Sequence, residues 1–440
     1  MALHITENII PLYTLTFHSK KEYSDCKNLF KKYNVVITSS IDEIYTIQIK
    51  GHIQFLSFIK HLKTAIISRS CKSRILKNIP KEINENTQPQ KIQWDVLRTT
   101  NNYSTYKKSK GSHSHCVALI DSGIDVNHCD LTDNIISVKN FVPENENNIC
   151  NNGECKINPL DMRDHLDHGT QVAGQICANG EILSIAPNTG IKVYKVFGKN
   201  LAYNIWIIKA IICAANDGVD VINLSLGSYL LTNYYKKNNQ WENNHAELIA
   251  LNKAIDYAYS KGCIVVGALG NDSILIDDQE NFKNKVQNDL DFSNIHPKAY
   301  IYDFPSQLNK VIGVASANYF NKLANYSNQS DFYIDILSFA GDSTLLDKYG
   351  EDKWINKKMI VKDWILSTSS ELVYTYTTGN SLATGKVSSA IAAMNAFYKI
   401  NRNPDKSFYL LKNKSSKILN LSDLLRSVSY THLTLPTKRI

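Results

Sequence analysis

Three polar residues stand where acyl transfer would need a carboxylate, a base and a nucleophile. Asp121 ends the apolar run 117–120, and a Ser-Gly turn follows it. His168 stands at the start of an apolar helical pattern, and Ser381 opens another. Taken singly, they are an ordinary strand end, a structural histidine and a helix N-cap. Taken together, they supply the nucleophilic hydroxyl, the base and the orienting carboxylate that acyl transfer requires.

The order and surroundings of these residues resemble one protease family. The chain order Asp, His, Ser is the subtilisin order and differs from that of chymotrypsin and the α/β-hydrolases. The segments around Asp121, His168 and Ser381 resemble the three subtilase signatures, and the likeness runs from about residue 93 to about residue 398. The resemblance implies that these residues are the catalytic triad of a serine endopeptidase. A serine at a helix N-terminus suits this role, because the free N–H groups there stabilise an oxyanion.

Two further segments resemble substrate-handling parts of the subtilases. Residues 265–271 look like the strand that ends in the oxyanion-hole asparagine, so the resemblance implies that the amide of Asn271 donates to the tetrahedral oxyanion. Without the triad, these residues would be interpreted as a Gly-Asn turn after a strand. Ser225, Leu226 and Gly227 resemble the edge segment that pairs with the substrate backbone by β-augmentation.

Asp272 directly follows Asn271 and has two interpretations. In subtilases this position lies at the primary specificity pocket, so a carboxylate there would pair with a basic side chain just before the cleaved bond, the P1 residue. Alternatively, Asp272 is a solvated loop residue, because Asp277 and Asp278 make the whole segment acidic. The sequence leaves both interpretations open.

Three positions near Ser381 depart from the family pattern. Asn380, Leu382 and Gly385 stand where the family usually has Thr, Met and Pro. Leu and Met are close in volume. Gly385 lacks the suitability of Pro for the first helical turn, and glycine costs about 1 kcal/mol of local helix propensity. None of these changes removes the hydroxyl, so we expect an active enzyme.

Short scaffold stretches resemble a narrower group of subtilases, the lantibiotic leader peptidases. They lie at 93–95, 177–180, 186–188, 214–218 and 352–354. These enzymes remove the leader from a lanthionine-containing precursor peptide, which the resemblance implies as substrate and partner. The alternatives are a less selective subtilase and a catalytically silent peptide-binding subtilase. The intact triad argues against the second.

No cofactor is expected, and calcium has one candidate ligand. Asp130 resembles the aspartate that binds calcium in subtilisins. Only residues 178–183 separate the helical segment after His168 from the 184–187 stretch, so the loop that supplies the other ligands is missing. Calcium takes six to eight oxygens, and one aspartate does not make a metal site.

The chain divides into four parts. Residues 1–70 mix strand and helix patterns and predict a small α+β unit. The subtilase resemblance implies that this unit is the protein's own propeptide, and an unrelated accessory domain is the alternative. Residues 71–92 are polar and predict a linker, whereas 93–426 predict an α/β fold, a doubly wound parallel sheet with helices on both faces. Residues 427–440 resemble a translated sequencing adapter, so we interpret them as a tail that is not native.

The individual elements follow from hydrophobic periodicity. Strands of the large unit are predicted at 117–120, 191–196, 219–224, 264–268 and 311–315, with helices at 206–216 and 245–261. In the N-terminal unit, strands are predicted at 12–17, 35–37 and 44–49, and helices around 23–30 and 55–62. Surface loops are predicted at 144–152 and 234–244.

Composition argues against several other classes. The net charge is +8, but the charges are scattered and no nucleic-acid-binding motif accompanies them. No apolar run reaches about 18 residues, so no membrane span is predicted. The first 20 residues lack a secretory signal. We therefore expect a cytoplasmic monomer, with a secreted or cell-surface location as the alternative if the N-terminus is incomplete.

Most of the nine cysteines stand in apolar stretches, where cysteine behaves as a small hydrophobe. Cys150 and Cys155 lie in a polar loop at a spacing that would close a small ring. Free thiols are favoured over a disulfide, because cysteine usage along the chain is not that of a disulfide-stabilised domain.

Overall fold

The structure is a computed structural model, which describes residues 11–51, 65–74, 81–82, 89–144, 157–199, 201–237, 240–289, 292–370 and 373–426. Cys150, Cys155, the predicted helix at 55–62 and the predicted tail at 427–440 lie outside these ranges. The cysteines inside them are free thiols. Across the same ranges, no helix is both long and apolar enough to cross a bilayer.

The strands and helices alternate along most of the chain. The strands are β1 (Leu12–Phe17), β2 (Val36–Ile41), β3 (Thr46–Lys50), β4 (Ala65–Arg69), β5 (Lys72–Ser73), β6 (Lys81–Glu82), β7 (Val117–Asp121), β8 (Ile135–Asn140), β9 (Ile191–Lys195), β10 (Ala202–Tyr203), β11 (Val221–Leu224), β12 (Ser228–Leu231), β13 (Tyr235–Lys237), β14 (Gln240–Glu242), β15 (Ile264–Ala268), β16 (Ile301–Phe304), β17 (Val311–Ala317), β18 (Ile336–Phe339), β19 (Ile365–Ser369) and β20 (Val373–Thr377). The α-helices are α1 (Lys20–Lys32), α2 (Pro89–Ile92), α3 (Trp94–Thr99), α4 (His168–Cys177), α5 (Asn204–Asn216), α6 (His245–Ser260), α7 (Gln279–Asp289), α8 (Thr344–Tyr349), α9 (Glu351–Asn356), α10 (Ile360–Asp363), α11 (Asn380–Tyr398), α12 (Pro404–Lys414) and α13 (Leu421–Leu424).

The N-terminal unit is an antiparallel sheet with its own small core. Its strands lie in the order β2-β3-β1-β4. Helix α1 begins with a reciprocal capping box between Ser19 and Glu22, which satisfies two free N–H groups at the helix start. Phe30 of this helix packs against Phe17 and Ile47 of the sheet. The described part is thus an α+β unit, and its assignment as a propeptide stays a prediction.

Buried polar contacts attach this unit to helix α6. Glu247 of α6 accepts hydrogen bonds from the Thr14 hydroxyl at 3.0 Å and from the Cys71 N–H at 2.9 Å. Lys253, two turns further along, donates to the Phe17 carbonyl at 2.6 Å. Burial raises the pKa of Glu247 to about 7. The N-terminal unit therefore contacts the large unit through specific buried groups, in addition to their chain connection.

The large unit is built around a parallel sheet. Within the described residues, seven parallel strands lie in the order β18-β17-β15-β11-β7-β9-β8. Alternate side chains of β7 belong to two hydrophobic cores, one on each face of the sheet. Val117 and Leu119 pack on one face with α4 and α11, and Ala118 and Ile120 pack on the other with α5 and α6. Helices cover both faces, so the predicted doubly wound α/β fold is confirmed.

The structure departs from the predicted elements at sheet edges. The edge strands β8 and β18 were not predicted, because β8 is only half-buried and β18 has four residues. The loop predicted at 234–244 is wrong, since β13 and β14 pair there as an antiparallel hairpin. Inside the predicted linker, β5 pairs with β10 and β6 pairs with β20. Short two- and three-residue strands carry too little periodicity to be recognised in a sequence.

Candidate active site

Asp121 and His168 meet at the carboxyl end of a central strand. Strand β7 lies between β11 and β9 and ends at Asp121. Helix α4 begins at His168, directly after Asp167 in the left-handed conformation with φ 59°. The Nδ1 atom of His168 lies 2.7 Å from Oδ1 of Asp121. The two residues therefore form the predicted base–carboxylate contact at the sheet edge where α/β proteins collect functional groups.

The carboxylate makes the buried imidazole more basic. Asp121 is 0% exposed and His168 is 2% exposed. Burial lowers the pKa of His168, but Asp121 and the other nearby carboxylates outweigh it and raise the pKa above its usual value. Asp121 Oδ1 also accepts the Ser122 N–H at 2.8 Å, which fixes the carboxylate. A hydrogen bond at Nδ1 leaves Nε2 as the atom that can accept a proton.

Ser381 is the second residue of α11, and its side chain is buried. Its hydroxyl donates to the Ser225 carbonyl at 3.1 Å, and the Ser225 hydroxyl donates to the Ser381 carbonyl at 2.8 Å. Nε2 of His168 makes no hydrogen bond to the described residues. The serine hydroxyl thus donates to the substrate-edge segment and not to His168, and catalytic hydrogen bonds of this kind often form only in the complex with substrate.

Asn271 lies three residues after β15, beside the start of α11. Its Oδ1 atom accepts the Asn380 N–H at 3.3 Å. With the carbonyl oxygen used in this way, the amide Nδ2 is the end that remains to donate. Asn271 and the backbone N–H of Ser381 are the two donors that the sequence predicts for an oxyanion.

Replacing Asn271 by alanine is expected to lower kcat for peptide hydrolysis about 10²- to 10³-fold with little change in KM. The physical reason is that an oxyanion donor acts mainly on the transition state, not on the bound ground state. Steady-state kinetics with a fluorogenic peptide measures both constants, and Ser273→Ala, an exposed neighbour, is the control. A change in KM alone would show that Asn271 binds substrate without stabilising the oxyanion.

The side chain of Asn380, next to Ser381, connects the start of α11 to two strands of the sheet. Its Nδ2 donates to the carbonyls of Leu269 and Gly270 at 3.1 and 3.0 Å, and its Oδ1 accepts the Ser316 N–H at 2.7 Å. The amide therefore fastens the start of α11 to the carboxyl ends of β15 and β17. A threonine, which has one hydroxyl, could not make all three bonds at once.

Gly385 lies where α11 packs closely on α4. A Cβ atom built there would lie 3.2 Å from both the Val172 carbonyl oxygen and its Cγ1 atom. A larger residue would require the contact with Val172 to open by a few tenths of an ångström. Because these helices carry Ser381 and His168, the glycine preserves the close approach of the two elements that hold the site.

The predicted substrate-edge segment is paired with the chain's own residues. Arg74 donates its N–H to the Gly227 carbonyl at 3.0 Å, and Gly227 donates to the Arg74 carbonyl at 3.3 Å. Just before Arg74, Ser73 of β5 lies opposite Ala202 of β10 in an antiparallel pair. Residues 72–74 therefore run as an extended strand between two edges, the conformation that β-augmentation requires.

Asp272 pairs with a basic side chain of this strand. Its Oδ2 atom accepts from the Arg74 guanidinium at 2.5 Å and from the Tyr229 hydroxyl at 2.5 Å. The Arg74 and Asp272 side chains are 39% and 27% exposed, so the pair is only partly buried. Asp272 is therefore a partly exposed carboxylate with two protein donors, and both interpretations of it stay open.

Asp303 of β16 is a second carboxylate that sequence reasoning missed. It is buried and accepts from the Gly270 N–H and from the Asn328 side chain, each at 2.9 Å. Asn328 in turn donates to the Tyr229 hydroxyl that contacts Asp272. Burial raises the pKa of Asp303 to about 7. The sequence signal that could have identified Asp303 is an aspartate within an apolar strand, but no known motif includes it.

The carboxylate of Asp130 accepts hydrogen bonds from other residues of the protein. Its carboxylate accepts the backbone N–H groups of Glu181 and Ile182 at 3.1 and 2.9 Å and the Tyr374 hydroxyl at 3.1 Å. A Cβ atom at Gly180 would lie 2.0 Å from Asp130 Oδ1, so the short turn depends on glycine. The neighbouring His128 uses both ring nitrogens, one on the Asp130 N–H and one on the Val373 carbonyl. These groups hold the turn to the sheet.

Known proteins match both the sequence and the fold. The subtilase family model matches residues 112–426. The epidermin leader peptide-processing serine protease EpiP of Staphylococcus epidermidis is 36% identical over 413 residues, which cover 91% of this chain and 87% of that protein. The nisin leader peptide-processing serine protease NisP of Lactococcus lactis subsp. lactis is 38% identical over 338 residues, covering 76% of this chain and 48% of that protein.

Solved structures agree with these matches. The crystal structure of EpiP from Staphylococcus aureus superposes with a TM-score of 0.81 at 30% identity and covers 96% of this chain and 99% of that one. The crystal structure of NisP from Lactococcus lactis superposes with a TM-score of 0.69 at 36% identity, covering 77% and 95%. With its triad motifs, its doubly wound sheet and these matches, the chain belongs to the subtilase family.

Proposed function

We propose that this subtilisin-like serine endopeptidase removes the leader from a lanthionine-containing precursor peptide. The observation that carries the proposal is the match to EpiP, a protein named for leader processing, across 91% of this chain. The match extends well beyond the residues 112–426 of the family model. A likeness limited to the triad segments would support proteolysis alone.

In the proposed reaction, Ser381 is the nucleophile and His168 is first the base and then the acid. The Ser381 hydroxyl turns from the Ser225 carbonyl to Nε2 of His168, gives up its proton and attacks the peptide carbonyl. Asp121 stabilises the imidazolium that forms. Asn271 and the Ser381 N–H bind the oxyanion, and His168 then protonates the leaving amine.

We further propose that the N-terminal unit is the protein's own propeptide. Residues 72–74 run between Ala202 and Gly227, and Gly227 belongs to the segment proposed to hold the substrate backbone. The contacts of Glu247 with Thr14 and Cys71 hold the unit against the large one. A segment bound in this way competes with any peptide for the same edge.

Cleavage of a defined precursor tests the proposed function. A purified lanthionine-containing precursor is incubated with the wild type and with Ser381→Ala, and the products are identified by mass spectrometry. We expect a single cut between leader and core, made by the wild type alone. Cuts spread over an unfolded protein at a similar rate would instead identify a less selective subtilase. Failure of the wild type to react with a fluorophosphonate would identify a silent peptide-binding protein.

Asp272→Asn is expected to weaken the preference for a basic residue near the cleaved bond. The pairing of Asp272 with Arg74 supports this prediction, because it shows a carboxylate reaching a basic side chain on a paired strand. In a scan of P1 residues, Arg or Lys should lead for the wild type. That lead should shrink about tenfold or more in the variant, which corresponds to about 1.4 kcal/mol.

Asp278→Asn is the control for this scan, because Asp278 is a nearby exposed carboxylate whose capping oxygen asparagine retains. Its profile should match that of the wild type. A wild-type preference for an apolar P1 residue would exclude Asp272 as the selecting group.

A further inference from the structure

Ser122 and Asp164 form a polar contact next to the Asp121–His168 pair. The Ser122 hydroxyl oxygen lies 2.6 Å from Asp164 Oδ1 and 3.2 Å from Asp121 Oδ1. The same oxygen accepts the Gly169 N–H at 2.9 Å, at the start of α4. A hydroxyl has one proton to donate, and the shorter contact gives that proton to Asp164. Asp121 is thereby left with His168 and the Ser122 N–H as the donors to its Oδ1.

Asp164 is held by donors from both sides. Besides Ser122, its carboxylate accepts the N–H and the hydroxyl of Thr170, each at 2.7 Å, and the Leu166 N–H at 3.2 Å. Burial raises the pKa of Asp164, and these hydrogen bonds oppose that effect. The negative charge of Asp121 raises this pKa further, whereas the donors around Asp164 favour its charged form.

We propose that Asp164 is a positioning residue that acts through Ser122 to keep His168 basic. Two effects act in the same direction. Asp164 draws the Ser122 proton away from Asp121, so Asp121 attracts the His168 proton more strongly. Its own negative charge also favours the imidazolium. The charged groups that face His168 are Asp121, Asp164 and Asp167, so Asp164 is one of three carboxylates that set the charge around the ring.

The pH dependence of kcat/KM tests this proposal, which rests on the proposed role of His168 as the base. A fluorogenic peptide amide with arginine at P1 is the substrate. Asp164→Asn removes the charge and keeps the size, so the pKa of His168 should fall. A base with a lower pKa stays deprotonated in more acidic solution. The acidic limb of the profile should therefore move to lower pH by about half a unit or more.

Three variants separate positioning from structural support. Thr170→Val removes a hydrogen bond to the same carboxylate but leaves its charge, so the limb should stay in place even if the rate falls. Asp164→Glu keeps the charge and should stay within about 0.2 unit of the wild-type limb. Asp164→Ser, a second uncharged variant, replaces Asp164→Asn if that protein does not fold.

An uncharged, folded variant whose limb does not move, or moves to higher pH, overturns the proposal. A structural role alone would lower the plateau without moving the limb. Failure of the proposed triad is distinguishable, because Ser381→Ala would then hydrolyse the same peptide as fast as the wild type. Failure of leader removal alone would appear in the precursor assay and would leave the pH profile of the small peptide unchanged.

Discussion

Ser381→Ala is expected to lower kcat for peptide hydrolysis about 10⁴-fold or more while leaving the protein folded. The substitution removes one oxygen from a buried site whose backbone remains fastened by Asn380. The base, the carboxylate and the oxyanion donors stay in place, but no group is left to form the acyl-enzyme. Active-site titration with a fluorophosphonate measures the loss directly.

Ser389→Ala is the matched control, because Ser389 lies on the same helix, is equally buried and donates to the Ile176 carbonyl of α4, not to Ser381 or its partner Ser225. It should keep most of the wild-type kcat. Residual hydrolysis by Ser381→Ala within tenfold of the wild type would remove Ser381 from the mechanism. If the N-terminal unit is a propeptide, the wild type should be cut between about residues 71 and 94, and Ser381→Ala should stay full length.

Lys386→Met is expected to destabilise the protein by about 3–5 kcal/mol. Lys386, on α11, forms an ion pair with Asp95 of α3, and the side chains are 1% and 0% exposed. Burial lowers the pKa of Lys386, and the attraction of Asp95 opposes that effect. Methionine matches the length of lysine but leaves Asp95 as an uncompensated buried charge. Denaturant unfolding in the Ser381→Ala background measures the loss without autolysis.

Removing both charges should restore most of the stability. In Asp95→Leu with Lys386→Met, no buried charge is left unpaired, so the double variant should be more stable than Lys386→Met. Lys310→Met is the control, because Lys310 pairs with Asp256 at the surface, with side chains 45% and 56% exposed. Such exposed pairs contribute about 0–1 kcal/mol. A double variant as unstable as the single one would mean that packing, not charge, is responsible.

The residues that the sequence could identify are those whose chemistry is marked by neighbours in the chain. Asp121 and Asn271 follow continuous apolar strands, and His168 and Ser381 stand at or next to helix starts, so each lies in a recognisable local pattern. Core strands such as β15 were predicted with their observed bounds, because both of their faces are buried.

The groups that sequence reasoning missed act across the fold. Asp164 reaches Ser122 over 42 positions, and Asn380 reaches Ser316 over 64. Asp303 belongs to a strand whose role is set by Asn328 and Tyr229, on other segments. No spacing rule connects such residues, because their proximity exists only after the sheet and its helices have packed. The edge strands were missed for a related reason, since their pairing partners define them more than their own residues do.

The strand formed by residues 72–74 has a kinetic consequence. As part of the same polypeptide as Gly227, it meets its edge at an effective concentration on the order of millimolar, whatever the concentration of the protein. A free peptide at micromolar concentration therefore competes poorly with residues 72–74 for binding to this edge. Cleavage of the chain between residues 74 and 89 makes the N-terminal segment a separate molecule, which dissociates as the protein is diluted. The rate at which activity appears after cleavage should then depend on protein concentration, whereas inhibition within an uncut chain would not.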